Sequence, residues 1–416
     1  MEKITLKNGL RILLDEQKNV RTACFGVWAK SGSLYETIEN NGISHFIEHM
    51  VFKGSTTRSS REIAEQMDFI GGQLNAYTAK DYTCFYARTL DEHVSEGFTI
   101  LCDMIARPLF DQKDIETEKN VVLEEINMTS DMPDDKVAEN QYAAIWNGSS
   151  LGLPILGTPE SLRSISRDSM FSYMESMYSP DRLVLAISGR FDRDTFLKIA
   201  TDYFGTIKTK KMITDPPPAL YHRSKRIVFD DCEQTHLCIC FPGFDAFDPK
   251  RHALNMLNII AGASSSSRLF QHIRENLGLA YSIYSSSVCY NNAGLFEIQT
   301  AVNPPSAQKA YEEILSVLAE LKNGVTAKEF LRAREQLKSG ILMGLEGIAS
   351  RAGFMGRSEL LKNYIRSEDE ILSEISGVSI EDVNRVAREV LDLKKHSISL
   401  VGAVKENEFH CSDFPC

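Results

Sequence analysis

No stretch of about 18 uninterrupted apolar residues occurs in the 416-residue chain, so no membrane-spanning helix is expected. The N-terminal residues, Met1-Glu2-Lys3-Ile4-Thr5-Leu6, lack a basic segment leading into an apolar run, and no signal peptide is expected. There is no C-x-x-C pair. The nine cysteines are odd in number and scattered, and they read as reduced, mostly buried thiols of a cytoplasmic protein. Cys238 and Cys240 lie in an alternating, strand-like run, while Cys411 and Cys416 in the tail fit that reading least. Without secretion, the sequons at Asn127 and Asn147 carry no meaning. An excess of positive charge is also missing: 46 Lys and Arg stand against 57 Asp and Glu, for a net charge of -11. Nucleic-acid binding rests on Lys and Arg neutralising phosphates, so no nucleic-acid partner is expected. The acidic excess is compatible with a basic ligand.

What is present is an ordinary soluble composition, 43% hydrophobic and 25% charged, in a chain longer than one hydrophobic core usually serves. Ile4 to Leu14, with Asn8-Gly9 at its centre, predicts a hairpin. Thr22 to Ala29 predicts a strand. After Asn40-Asn41-Gly42 a helix should run to about Phe52, and another from Arg61 to Phe69, ended by Gly71-Gly72. Leu74 to Ala87 alternates and suggests paired strands. Helices are expected near 91–106 and 111–128, then a polar, acidic segment from Ser130 to Glu139, one helix near 160–178, and a strand from Leu183 to Gly189. Ile207 to Ser224 contains a Lys cluster and Pro216-Pro217-Pro218, which can continue neither a helix nor a central strand.

The second half replays the first. Strands are expected at Arg226–Phe229 and Thr235–Phe241, then a helix, strands, two more helices and a closing strand. An offset of 213 lays 185–189 on 398–402, and an offset of 208 lays the helix before Gly54 on Arg251 to Gly262. The chain therefore reads as α+β, two copies of one unit in which an antiparallel-rich mixed sheet packs with helices. The domains would span 1–206 and 225–416, with a linker at 207–224.

The first of these helices contains His45-Phe46-Ile47-Glu48-His49. Residues three and four apart share a helix face, so two imidazoles and a carboxylate project together. Such imidazoles can share a tetrahedral metal. H-x-x-E-H reverses the H-E-x-x-H of ordinary zinc proteases and is the inverzincin order. A catalytic zinc needs a third protein ligand. In Asp114 to Ile126, Glu125 shares a face with Val121, Val122 and Glu118, whereas Glu116 and Glu124 read as solvated. Carboxylates on a partly apolar face need a partner, often a metal. In the second copy the histidines and Glu48 are replaced by Ala253, Met256 and Leu257, and an offset of 215 replaces Glu118 and Glu125 by Ala333 and Gly340.

These motifs resemble the M16 metallopeptidases, which include pitrilysin, insulin-degrading enzyme and the mitochondrial processing peptidase. The length, and the similarity along nearly the whole chain, resemble the short M16B branch related to the processing-peptidase beta subunit. The resemblance implies one zinc per chain held by His45, His49 and Glu125, Glu48 as general base, and Glu118 supporting the ligands. Ser267-Arg268-Leu269-Phe270 and Arg274 to Tyr281 resemble the C-terminal signature, in which Arg274 and Tyr281 grip the substrate. Leu74-Asn75-Ala76-Tyr77 resembles the edge strand that pairs with substrate backbone through Asn75 and Ala76. The glycine-rich loop of non-catalytic partners is absent. The implied activity is zinc-dependent endopeptidase hydrolysis of peptides or unfolded segments; the alternative is a peptide-binding or structural subunit with little turnover. Two units resemble half of a clamshell, implying a homodimer with a composite site. Asp131, Asp134, Asp135 and Glu139 follow the Glu125 helix and would favour a basic, extended peptide.

Overall fold

The computed structural model describes residues 1–208 and 213–411. Part of the expected linker and Cys416 lie outside these. In chain order the first half contains β1 (Glu2–Thr5), β2 (Arg11–Glu16), β3 (Thr22–Ala29), α1 (Ile43–Val51), α2 (Ser60–Phe69), β4 (Gln73–Thr78), β5 (Thr83–Leu90), α3 (Val94–Ala106), α4 (Gln112–Asp131), α5 (Pro133–Ile145), α6 (Pro159–Ser164), α7 (Arg167–Met177), β6 (Leu183–Gly189) and α8 (Arg193–Phe204). The second half contains β7 (Lys225–Phe229), β8 (Thr235–Pro242), α9 (Arg251–Ala261), β9 (Ala280–Cys289), β10 (Gly294–Val302), α10 (Ala307–Leu321), α11 (Ala327–Gly344), α12 (Ile348–Lys362), α13 (Glu368–Ser376), α14 (Ile380–Val390) and β11 (Ser397–Gly402).

Two sheets result, in the orders β1-β2-β6-β3-β5-β4 and β7-β11-β8-β10-β9. Apart from the extra edge strand β1, they are the same sheet. The pairs β2·β6 and β7·β11 are parallel, and the pairs that follow in each sheet are antiparallel. The mixed, antiparallel-rich repeat expected from the sequence is thus the architecture observed.

The chain is not divided at one point between the two. One compact unit comprises Met1–Ile126, Leu153–Pro216 and Met343–Arg366; the other comprises Asn127–Gly152, Pro217–Leu342 and the chain from Ser367 onward. Where the sequence suggests contiguous domains, the copies exchange a helix. α5, from the first half, packs in the second unit, where Tyr142 donates to Glu297 at 2.7 Å and the Trp146 and Tyr290 rings lie 5.6 Å apart. α12, from the second half, packs in the first unit: Ala352, Met355 and Leu360 are buried with Leu13, Trp28 and Val184. An added Cβ at Gly356 would lie 2.3 Å from the Trp28 ring, so only glycine lets α12 approach this closely. The exchanged helices are equivalent, since Pro133 and Ile348 differ by the same 215 that relates α4 to α11.

Three local expectations change. The acidic segment is helical, because α4 runs to Asp131 and Pro133 starts α5 at its first turn. The helix near 160–178 is two, α6 and α7, because the Ser166 side chain caps a new start by accepting from Ser169 N. Five helices, not two, separate β10 from β11. The other opposing face of the first sheet packs on α1, α3, α7 and α8, around Phe25, Phe46, Phe98, Met170 and Phe196.

Candidate metal centre

α1 is positioned from both sides. Its apolar residues Ile43, Phe46, Ile47, Met50 and Val51 are buried in the first unit's core. Its N-terminus is held by Glu36, whose buried carboxylate accepts from Gly42 N at 2.7 Å, Ser44 N at 2.9 Å and Asn41 Nδ2 at 2.9 Å. A carboxylate there satisfies otherwise unpartnered amides and complements the helix dipole. Burial nevertheless pushes the Glu36 carboxyl upward. Gly42 takes φ of +90°, where a side chain would meet the Leu156 carbonyl.

With its apolar face so fixed, α1 presents His45, Glu48 and His49 together. The two rings lie 4.5 Å apart. Glu125, reaching in from α4, places Oε2 3.8 Å from His45 Nε2 and 3.6 Å from His49 Nε2. Two atoms each about 2.1 Å from a tetrahedral zinc stand roughly 3.4 Å apart. The two nitrogens and one oxygen therefore have the type and spacing of a three-ligand zinc set. Burial, then the neighbouring His49, holds the His45 imidazole down to about 3, so it is neutral, the form that ligates metals. The α4 carboxylates divide as their helix faces predict: Glu118 is buried and Glu125 half-buried, whereas Glu116 and Glu124 are exposed. Val121, expected on the inward face, is exposed.

Around this set lie partners. Glu118 Oε1 is 2.9 Å from His49 Nδ1, and Glu118 Oε2 is 2.5 Å from Lys53 Nζ. Thr78 Oγ1 donates to Glu48 Oε2 at 2.5 Å. Burial raises the Glu48 carboxyl, against that hydrogen bond. Glu36, Lys53 and Thr78 were not singled out by the sequence. Only Lys53 carried a usable signal, lying four residues past His49; Glu36 sits in a loop and Thr78 on a different element.

Asn75 and Ala76 lie on β4, which pairs only with β5 among the described residues and so ends its sheet. Asn75 is exposed, and its Oδ1 accepts from Ala76 N at 2.8 Å. In the second unit Arg274 lies in the last turn of a π-helical segment, Phe270–Asn276, and Tyr281 is the second residue of β9. The Arg274 guanidinium lies 4.9 Å over the Tyr281 ring, and Tyr281 is 80% exposed. Arg268 is an anchor instead: its guanidinium grips both Glu329 oxygens at 2.7 and 2.9 Å. Asp135 and Glu139 are exposed on α5, with Asp131 and Asp134 nearby in sequence. Burial and then Asp134 raise the Asp135 carboxyl.

A second group, Cys238, Cys240 and Glu297 in the second unit, also has ligand-like spacing. Glu297 already accepts from Tyr142 and from Ser286 Oγ at 2.7 Å, one on each oxygen, and burial pushes the Cys240 thiol well up. It reads as a satisfied polar cluster inside the fold.

The model of the insulinase family, peptidase family M16, matches residues 11–159, and that of the peptidase M16 inactive domain matches residues 164–337. An uncharacterized zinc protease of Bacillus subtilis, YmxG, is 42% identical over 391 residues, covering 94% of this chain and 95% of its own. An uncharacterized zinc protease of Rickettsia felis is 34% identical, with 92% and 93% covered. Among solved structures, a protease from Helicobacter pylori superimposes with a TM-score of 0.90 at 19% identity, covering 96% of this chain and 99% of that one. A peptidase M16 inactive domain from Pseudomonas fluorescens also gives 0.90, at 18% identity, covering 97% and 98%.

Proposed function

The chain belongs to peptidase family M16, and we propose that it is a zinc-dependent endopeptidase acting on peptides or unfolded segments. The observation that supports this most is the convergence of His45, His49 and Glu125 beside a Glu48 whose Oε2 is taken by Thr78. Zinc, when bound, supplies positive charge that polarises a peptide carbonyl and lowers the pKa of water from 15.7 to about 7. His45 and His49 would hold it through Nε2, and Glu125 through Oε2. Glu48 Oε1 would take the proton from the attacking water and return it to the leaving amine. Thr78 orients that carboxylate and also lies on β4, so it ties the base to the strand the substrate is proposed to join. An extended peptide would add to the β4 edge at Asn75 and Ala76, with backbone bonds giving affinity. A basic side chain near the cut would be drawn to Asp135 and Glu139. Arg274 and Tyr281 would serve a second copy of the chain in a two-fold dimer.

Glu48→Gln tests the reading. Hydrolysis of a quenched peptide library should fall by about 10²- to 10⁴-fold, while zinc content stays near that of the wild type. Peptide retention without turnover by the wild type would point to a binding subunit instead. Residual turnover in Glu48→Gln equal to wild type would remove Glu48 as the base.

A further inference from the structure

We infer that Lys53 is a positioning residue for the metal centre, acting through Glu118 on the His49 ring. The inference rests on the zinc reading above and adds a residue that the reading does not use. Three observations carry it.

The first is geometric. A carboxylate oxygen accepts hydrogen bonds, so with Glu118 Oε1 at 2.9 Å the His49 Nδ1 is the donor. Nε2 then keeps its lone pair, on the side that faces Glu125. Lys53 Nζ, at 2.5 Å from the other Glu118 oxygen, holds the carboxylate at both ends. Glu118 is buried, its side chain 5% exposed, and a buried carboxylate with one partner removed is costly and finds another orientation.

The second is the contrast between the two imidazoles. His45 Nδ1 is buried with no hydrogen-bond partner among the described residues, so no hydrogen bond at that atom orients its ring. His49 is the half-exposed ring, and packing holds it less. The Lys53–Glu118 pair stands where orientation is most needed.

The third comes from the repeat. The offset of 208 that places His45, Glu48 and His49 on Ala253, Met256 and Leu257 places Lys53 on Ala261. Glu118 corresponds to Ala333. Ala261 and Ala333 are both fully buried. The copy without ligands has two fully buried alanines where the copy with ligands has an ion pair. A lysine just past a helix C-terminus is ordinary on dipole grounds. The dipole alone accounts for neither the Glu118 contact nor the loss of both partners together.

The sign of the effect separates positioning from simple charge. A cation close to a dication site opposes binding, so by Coulomb's law alone removing Lys53 would tighten zinc. Positioning requires the opposite. Zinc affinity is measured by chelator competition for wild type, Lys53→Met, Lys53→Arg, Glu118→Gln and the Lys53→Met/Glu118→Gln double variant, with the melting temperature of each metal-free protein in parallel. Lys53→Met should bind zinc about 10- to 100-fold more weakly, the range for partners of ligating histidines. Lys53→Arg should recover most of the loss. In the Glu118→Gln background, Lys53→Met should change affinity less than about 3-fold, since the route through Glu118 is already cut. Unchanged or tighter binding by Lys53→Met, or full additivity of the two losses, overturns the inference. A loss that tracks a fallen metal-free melting temperature in both Lys53→Met and Lys53→Arg also overturns it, because that is a folding role. If the wild type itself takes up no zinc, the failure is that of the metal reading.

Discussion

Helix α1 carries His45, Glu48 and His49 where α9 carries Ala253, Met256 and Leu257, in two sheets of one strand order. In α9 those three side chains are sealed in the core, at 4%, 0% and 0% exposure. In α1 the same face is open enough that Glu48 and His49 remain half-buried. The supports differ as well. Glu36 clamps the start of α1 with a buried carboxylate that takes the Gly42 and Ser44 amides, whereas at the start of α9 the Asp248 carboxylate accepts from the corresponding amide of Lys250 at 2.7 Å. The fold therefore does not need the polar face; α9 forms without it. What α1 adds is a set of buried polar groups whose common feature is the space between His45, His49 and Glu125.

Moving the polar face into the second copy should be the most damaging change. Ala253→His, Met256→Glu and Leu257→His together put two imidazoles and a carboxylate into a packed interior with no Lys53 or Glu118 equivalent. Burying such groups without partners should destabilise the second unit by more than about 4 kcal/mol. Soluble yield and the urea midpoint are the readouts. A folded triple variant that binds a second zinc would show that the second copy keeps a latent site and would break the comparison.

The opposite graft should act in the other direction and less strongly. His45→Ala, Glu48→Met and His49→Leu give the first copy the residues of the second. Zinc binding and hydrolysis should vanish, while the metal-free protein gains about 1 kcal/mol, or roughly 2–4 °C for a unit of this size. Differential scanning calorimetry in chelator reads it. A melting temperature below that of the metal-free wild type would mean that the polar face is fully satisfied by its neighbours, and that it stabilises the fold rather than burdening it.

The two copies also show why some features were legible in the sequence. Strand positions came through because alternation and turn signals are local: Thr22–Ala29 and Leu183–Gly189 are strands as read, and Asn8-Gly9 turns the first hairpin. The ligand set came through because helical periodicity carries it: His45, Glu48 and His49 share one face, and Glu118 and Glu125 another. The helix exchange did not. α5 and α12 have the pattern of ordinary amphipathic helices, and nothing local says which sheet each one covers; Gly356 against Trp28 is legible only once the two are side by side. Glu36 and Thr78 were missed for the same reason. Each acts on α1 from an element distant in structure class, a loop and an edge strand, so no periodicity connects them.

The smallest expected effect concerns how each copy starts its long helix. α4 is preceded by Asp111, whose Oδ1 accepts from Lys113 N at 2.9 Å. In the first turn of α11, Glu329 accepts from Thr326 N at 2.8 Å and is gripped by Arg268. That Arg268 hydrogen bond, opposed by burial and aided by Thr326, holds the Glu329 carboxyl down to about 2 from its ordinary value of 4.5. A carboxyl depressed on folding stabilises fully above its unfolded value and loses that contribution as pH falls toward the folded one. The window is therefore about 4.5 down to 2. Because the pair is partly solvated, its worth after screening is about 1 kcal/mol. Glu329→Gln should cost that amount at pH 6, and the gap between variant and wild type should close as the pH approaches 2. Amide exchange in the first turn of α11, compared with the first turn of α4 in the same samples, isolates the effect from general acid weakening. A gap that stays constant across the window would show that Glu329 serves α11 through its cap geometry, as Asp111 serves α4, and that the Arg268 charge adds nothing the first copy lacks.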